Sequence, residues 1–297
     1  SEEIHVDWAG QRIKGLSVTS LAKDAILKIF KRNNKNKPKT LIDTFYYPEL
    51  GTGLIYETIK DRLLEKGYQV LLNTYPKKIL HTNRTVKKVV CMGPEGLMEI
   101  ECKYLVESVP LKHFIDLLEP QPQKQIKDAQ EKLLYRSQVY LFITLDKESV
   151  TADQWIYFPN KEIPIGRMSE MRNFSHKMSP EGKTSIFLEF FCTKGDRIWN
   201  MEGEELLKYT LPYLASMNFV KPEEVRHHYH IREENVYPIY DVNYKDYLEV
   251  MKRYLDKFEN LFYIGRPGRF RYNNQDHSLE MGILAAKSII EGKRYDI

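Results

Sequence analysis

Residues Leu261 to Gly292, LFYIGRPGRFRYNNQDHSLEMGILAAKSIIEG, demand a strand, a polar loop and a helix in quick succession, which limits what the rest can fold into. Leu261-Phe262-Tyr263-Ile264 is a short apolar run bounded by Gly265, the pattern of a buried strand. Leu279, Ile283, Ala286 and Ile290 recur at helical spacing, Asp276 or Ser278 can cap the first turn, and Gly292 stands where helices end. The connecting loop packs Arg266, Arg269, Arg271, Asn273, Asn274, Gln275, Asp276 and His277 into a short span. Loops of that composition bind ligands.

A helix start carries unpaired amide hydrogens and a partial positive charge, so it suits an anion or an electron-rich ring. The alternative is a capped helix after a solvated turn. Gly265 and Gly268 favour binding, because backbone without a Cβ can approach a ligand closely.

The wording GRPGRFRYNNQDHSLEMGILAAKSII resembles the C-terminal flavin-contacting segment of the FAD-dependent amine-oxidase-like superfamily. The nearest relatives by this resemblance are protoporphyrinogen-oxidase-like and phytoene-desaturase-like oxidoreductases, and UDP-galactopyranose mutases, whose eukaryotic members carry a similar NQDHS. The resemblance implies that this helix start lies against a flavin ring. Gly265, Arg266, Gly268, Asn274, Gln275, Asp276, His277 and Ser278 then become cofactor-side residues, and Tyr272 a neighbour of the substrate. Tyr47-Pro48-x-x-Gly51-x-Gly53 resembles the family's segment leading into a helix between its domains. Gly51-x-Gly53 is not a dinucleotide fingerprint, since Tyr56 holds the third glycine position and no apolar strand precedes it. The resemblance also places an adenine-contacting strand just after Leu72-Asn73-Thr74, where Pro76 lacks the N–H that the usual donor supplies.

With 297 residues and 42% hydrophobic composition, the chain can bury one large core or two modest ones. A formal charge of +4, from 45 basic and 41 acidic side chains, is too weak a bias to argue for nucleic acid. Cys91, Cys102 and Cys192 have no C-x-x-C spacing and are read as free, packed thiols of a reducing compartment. No apolar run has the length of a membrane span and no signal-peptide pattern opens the sequence, so the expected location is cytoplasmic.

Along the chain, Trp8 to Gly15 is a short docking segment. Ala22, Ala25, Ile26, Ile29 and Phe30 mark a helix, followed by a basic loop from Lys31 to Lys39. Ile55, Ile59 and Leu63 form one face of a helix that ends at Gly67. Strands are expected at Gln69–Leu72, Val86–Met92, Leu97–Glu101 and Tyr104–Val109 as a meander, then a helical region to Leu134. Further strands are expected at Arg136–Leu145, Trp155–Phe158, Thr184–Phe191 and Val225–Arg232, with a helix at Glu204–Met217 containing Pro212. Tyr237 to Asp241 reads as an extended linker into a helix over Tyr244–Tyr254.

His227, His228 and His230 invite a metal reading, but on a strand only His228 and His230 share a face and no third ligand sits nearby in sequence. They are read as partly exposed strand residues, with no metal. The sequence has no G-x-S-x-G elbow and no Walker loop. Tyr46, Tyr47, Tyr237, Tyr240 and Tyr272 lie in Pro- or Gly-flanked loops. Singly each is a packing residue, whereas the resemblance sets several of them, with Arg172, Asn173 and Phe174, at a pocket mouth. Arg172 then orients a substrate phosphate or carboxylate, the alternative being a surface ion pair.

The expected fold is α/β (α+β): a mixed, largely antiparallel substrate-domain sheet with helices, plus the C-terminal part of an FAD-binding domain. The expected divisions are 1–67, 68–110, 111–240 and 241–297. The G-x-G-x-x-G that cradles FAD pyrophosphate in the family does not occur in this sequence. The implied function is flavin-dependent oxidoreduction on a small-molecule substrate, with FAD expected for a full-length parent. The alternatives are a sugar-nucleotide mutase using reduced flavin, and a non-catalytic fragment or binding module that does not hold FAD alone.

Overall fold

A computed structural model of the chain describes Ile4, His5, Asp7 and residues 45–297. The segments read as a docking stretch, a helix from Leu21 and a basic loop lie outside the described residues. The rest forms two compact units, one holding residues 73–134 and 238–297, the other Tyr47–Leu72 and Tyr135–Tyr237. This division interleaves the expected boundaries at 67, 110 and 240, because strands distant in sequence pair.

In the first unit, β1 (Tyr75–Thr82), β2 (Thr85–Gly93) and β3 (Gly96–Glu101) form the expected antiparallel meander, extended by a short parallel strand β5 (Leu118–Glu119) in the order β3-β2-β1-β5. No strand forms over Gln69–Leu72; the chain turns at Asn73 (φ 53°) and enters β1 at Tyr75. β4 (Leu105–Glu107) leaves the meander and pairs in parallel with β11 (Leu261–Tyr263). Proximity in sequence suggested a fourth meander strand, but the apolar Leu261-Phe262-Tyr263, buried throughout, offers β4 a partner that covers more surface. The helical region before Leu134 divides into α2 (Leu111–Leu117) and α3 (Lys124–Lys132), because Pro120 and Pro122 withhold the amides a continuous helix needs.

Asn260 joins the two sheets of this unit. It is 6% exposed, accepts from the Val86 amide at 2.9 Å and donates to the Val86 and Lys103 carbonyls at 2.8 Å each. The Arg294 guanidinium reaches the Phe258, Glu259 and Leu261 carbonyls at 2.5, 3.1 and 3.3 Å and lies over the Phe262 ring.

The second unit is built on a five-stranded sheet of order β10-β6-β9-β8-β7: β6 (Tyr135–Leu145), β7 (Trp155–Tyr157), β8 (Arg167–Glu170), β9 (Thr184–Cys192) and β10 (Val225–Pro238). β8 was not anticipated, since Arg167-Met168-Ser169-Glu170 holds one apolar residue. β10 runs on through Pro238, so the expected linker is strand in its first half. One sheet face is the core: Val139, Leu141 and Ile143 lie opposite Phe190, Leu188 and Ile186, and Leu206, Leu207 and Leu214 of α5 (Gly203–Ser216) cover them. Short α4 (Arg197–Asn200) precedes α5.

α1 (Gly53–Glu65) ends as expected: Gly67 takes φ 81°, and Tyr68 and Gly67 donate to the Leu63 and Leu64 carbonyls. α1 buries none of its residues, and Ile59 and Leu63 are exposed. In the first unit, α6 (Tyr244–Leu255) packs on α3, α7 (Gly265–Gly268) is one turn, and α8 (Gln275–Glu291) closes the chain with Gly292 at φ 64°. α8 buries Met281, Ala285 and Ser288, while Leu279, Ile283 and Ile290 face outward. The helical period located an apolar stripe, but Asn273 and Gly265 are held by Met281 on a different face.

Replacing Asn260 by Leu strands the Val86 amide and two carbonyls, each orphan costing roughly 1–3 kcal/mol. Chemical denaturation should show a loss in that range or above. In α8, Ile290→Ser should change stability by less than about 0.5 kcal/mol, as exposed sites do, while Ala285→Asp should destabilise by several times that. Equal losses would mean the outward stripe is covered.

Candidate functional site

The loop between β11 and α8 is braced from within. Gly265 adopts φ 75°, which calls for glycine, and its amide donates to the Met281 sulfur at 3.3 Å. A Cβ on Gly265 would meet Ser108 at 3.6 Å, and one on Gly268 would meet Ser108 and the Val109 carbonyl at 3.4 Å. What approaches these glycines is the chain's own segment after β4. The Arg266 guanidinium donates from Nε and Nη2 to the Asn273 carbonyl at 3.0 and 2.5 Å and lies 5.0 Å from the Tyr272 ring centroid.

Phe270 has φ 48°, costly for a side chain of that size, and is held there by burial to 1% beside Tyr240 and Tyr244. Tyr240 is equally buried, stacks on Tyr244 at 4.3 Å, and its hydroxyl accepts from the Tyr272 amide at 2.7 Å. Expected at a pocket mouth, Tyr240 is instead core: its aromatic body is desolvated and its hydroxyl anchors the loop backbone. Sequence context could not separate these roles, because a Pro-flanked tyrosine fits both.

Asn274, rather than Asp276 or Ser278, is the N-cap of α8, and the His277 Nδ1 accepts from its amide at 3.4 Å. Gln275, Asp276, His277 and Ser278 form the first turn, and the exposed Asp276 carboxylate offsets part of the positive helix end. Asn273 is 7% exposed; its amide nitrogen donates to Ser278 Oγ at 3.2 Å, and its Oδ1 makes no hydrogen bond with a described residue. A cavity of about 350 Å³ opens here, lined by Tyr272, Asn273, Asn274, His277 and Met281 among others. Thus Tyr272, Asn274 and His277 line one cavity, whereas Gly265, Arg266, Gly268, Gln275, Asp276 and Ser278 are not among its lining residues. Asn273 belongs with the first three, and its sole sequence signal was its place among the loop's polar residues.

The cavity combines a small volume with a largely polar lining. It has the volume for one ring system rather than for a whole dinucleotide, a buried carbonyl-type oxygen needing an N–H donor, and the open amides of a helix start.

Sequence reasoning missed Glu107. At the end of β4 it is 7% exposed, and neither carboxylate oxygen makes a hydrogen bond of good geometry. Burial pushes its pKa well above the usual carboxylate range, and the nearby Val109 amide pulls only weakly the other way. Buried Glu170 in the second unit shows the contrast, accepting from Val150, Thr151 and Thr184 at 2.9, 2.7 and 2.7 Å. The signal was an acid at an inward position of an apolar strand.

The second unit holds the other expected substrate residues. Tyr47 lies against Phe174 at 4.9 Å, Phe174 stacks on Trp155 at 5.9 Å, and burial raises the Tyr47 hydroxyl pKa. Arg172 is an ion pair with Glu148 at 3.2 Å and also donates to the Lys183 carbonyl. Its guanidinium is engaged, as in the alternative reading. Tyr237 is half-buried against Phe191. The sheet face opposite the core carries a polar chain that sequence did not reveal: Tyr140 donates to Gln138 at 2.6 Å, and Gln138 donates to Glu189 at 3.2 Å. Arg167 completes it with two bonds to Glu189 at 2.8 and 2.5 Å and one to Tyr157 at 3.3 Å. Cross-strand register, invisible in sequence, brings these together: Tyr140 and Arg167 both lie opposite Glu189.

His227, His228 and His230 stand along β10, exposed to half-buried, and among the described residues no three His, Cys, Asp or Glu side chains gather closely enough to hold a metal. The three cysteines are free, with Cys91 and Cys192 buried. Among the described residues no helix is long and apolar enough to cross a membrane.

Glu107 gives a pH test. Its folded-state pKa lies above its unfolded value, so stability falls as pH rises from the ordinary carboxylate range through the folded-state value. Glu107→Gln should therefore stabilise the protein at neutral pH by roughly 1–3 kcal/mol, with the gain vanishing near pH ~4. Denaturation midpoints across pH check this; a constant difference would show that Glu107 is satisfied.

No protein-family model matches the sequence. Among solved structures, a reduced UDP-galactopyranose mutase superposes on 98% of this chain with TM-score 0.77 and 21% identity. A protein assigned as a protoporphyrinogen oxidase from Exiguobacterium sp. 255-15 covers 82% with TM-score 0.60 and 15% identity. A redesigned putrescine oxidase covers 81% with TM-score 0.56 and 12% identity. The chain spans 61% of the length of the mutase, 51% of the second protein and 53% of the third. The chain has the fold these proteins share.

Proposed function

We propose that the chain supplies the ring-facing side of a flavin site in its first unit and a substrate-binding unit in its second, acting on a small organic molecule or a sugar nucleotide. The observation that carries this is the cavity at the start of α8, lined by Asn273, whose side-chain Oδ1 has no donor among the described residues. A bound flavin would accept a hydride from the substrate or, once reduced, act on it as a nucleophile. The chain's residues would position it: Asn273 Oδ1 would accept a ring N–H and the first α8 amides would favour electron density on the ring edge, while Arg266 holds the loop through the Asn273 backbone carbonyl. The polar chain from Tyr140 to Arg167 gives the second unit donors and acceptors for a hydroxylated substrate. The sequence carries no G-x-G-x-x-G, so the proposal concerns the ring side alone.

Two chemistries fit, net redox turnover and mutase action with reduced flavin. The superposition over 98% of the chain favours the mutase reading.

Lumiflavin, a ring with no phosphate, is the direct probe. Its fluorescence should be quenched on titration with the chain, and Asn273→Ala should weaken binding by about tenfold, the worth of one buried hydrogen bond. Fluorescence unchanged at high protein concentration would remove the proposal. Conversion of UDP-galactopyranose after dithionite reduction would assign the mutase chemistry, whereas consumption of an electron acceptor without isomerisation would assign oxidation.

A further inference from the structure

A cavity of about 770 Å³ lies elsewhere in the first unit, between the β1–β2 turn, the Pro120–Pro122 segment, the start of α3 and the end of α6. Arg84, Arg253 and Lys257 line it, with Tyr254, His81 and Gln123, and no Asp or Glu is among the lining residues. Arg253 is paired with Glu249 at 2.8 Å, but among the described residues neither Arg84 nor Lys257 has an ion-pair partner. Like charges gathered without counter-ions repel one another, and an anion between them removes that cost.

The turn that carries Arg84 adds a second observation. Thr82 and Thr85 pair across a two-residue turn in which Asn83 has φ 48° and Arg84 φ 60°. Both central residues are left-handed, the geometry for which Asn-Gly is preferred, and a side chain at the second position costs roughly 1–2 kcal/mol. Glycine there would fold more stably, yet the position carries a cation. Its charge reaches the Tyr254 hydroxyl, whose pKa burial raises and Arg84 lowers.

The remaining walls suit a phosphate ester with a ring attached. α3, with Gln123 at its N-cap, presents the open amides of its first turn at the rim, and Gln123 makes no side-chain cap bond. The His81 Nε2 is fixed by the Pro120 carbonyl at 3.1 Å and its Nδ1 has no hydrogen-bond partner. Pro120, Pro122, Ile126 and Val250 supply apolar surface, and the volume lies in the range of small-molecule sites.

We infer that this cavity binds a phosphorylated small molecule of mononucleotide size, its phosphate held between Arg84 and Lys257 and its ring against Tyr254 and the prolines. The inference is independent of the flavin reading, since no residue of the cavity belongs to the β11–α8 loop.

The test is calorimetric titration of the chain with ADP, and with adenosine as the uncharged control. ADP should bind and adenosine should not, and ADP affinity should fall with added salt. Arg84→Gly removes the cation while giving the turn its preferred residue, so it should keep or raise the Tm while weakening ADP by roughly tenfold or more. Lys257→Gln should weaken ADP similarly. The inference is overturned if ADP fails to bind at millimolar concentration, if adenosine binds as well, or if both variants bind ADP normally. Loss of ADP binding in Asn273→Ala with Arg84→Gly unaffected would also overturn it, placing the nucleotide at the other site. Since lumiflavin carries no phosphate, failure of the flavin reading appears separately.

Discussion

The Asn260 side chain is the contact on which the first unit depends. A single buried amide accepts from one strand of the meander and donates both to it and to the segment entering β4, one residue before β11 begins. In a site closed to water these bonds have no solvent substitute, so the β2 backbone fixes where β11 starts. The Arg294 guanidinium secures the same corner from the C-terminal side through three carbonyls. The loop carrying Arg266 to Asn274 is therefore suspended between a clamped strand and a capped helix.

Tension in that loop is visible. Phe270 occupies a backbone region that large side chains avoid, and the neighbouring Tyr240 and Tyr244 rings hold it there. The constraint directs Arg271, Tyr272 and Asn273 toward the cavity at the start of α8. Nearby, Glu107 is a buried acid without a good partner, in contrast to Glu170 with its several donors. Packing tolerates such costs where the arrangement serves another end, and the orphan Asn273 oxygen in the same unit is of that kind. In the second unit, one sheet face is an apolar core and the other a hydrogen-bonded chain anchored by a paired arginine and glutamate.

Much of this was legible in the sequence, in particular places. Helix ends were clear because Gly67 and Gly292 must take positive φ, and local chemistry decides that. Long strands such as β6 and β9 were clear because alternation persists over many residues. Short or polar elements were not: β8 has one apolar residue, and the Gln69–Leu72 run is apolar but turns before it can pair. The loop after β11 was singled out from its wording, yet Tyr240 was placed at a pocket mouth and is core, and Arg172 is engaged by Glu148. A side chain's type states what it can do, while its neighbours determine what it does.

By itself the sequence determined the strand–loop–helix at the C-terminus and the mixed helix-and-sheet class of the fold, because periodicity and turn chemistry are local. Tertiary structure alone decided that β4 pairs with β11, that α8 turns Met281 rather than Ile283 inward, and that Tyr140, Gln138, Glu189 and Arg167 form one chain. It also decided that Arg84 and Lys257, 173 positions apart in number, line a single cavity. Each of these depends on register and on which buried surface finds a partner, quantities set by the whole chain at once and recorded in no local window of residues.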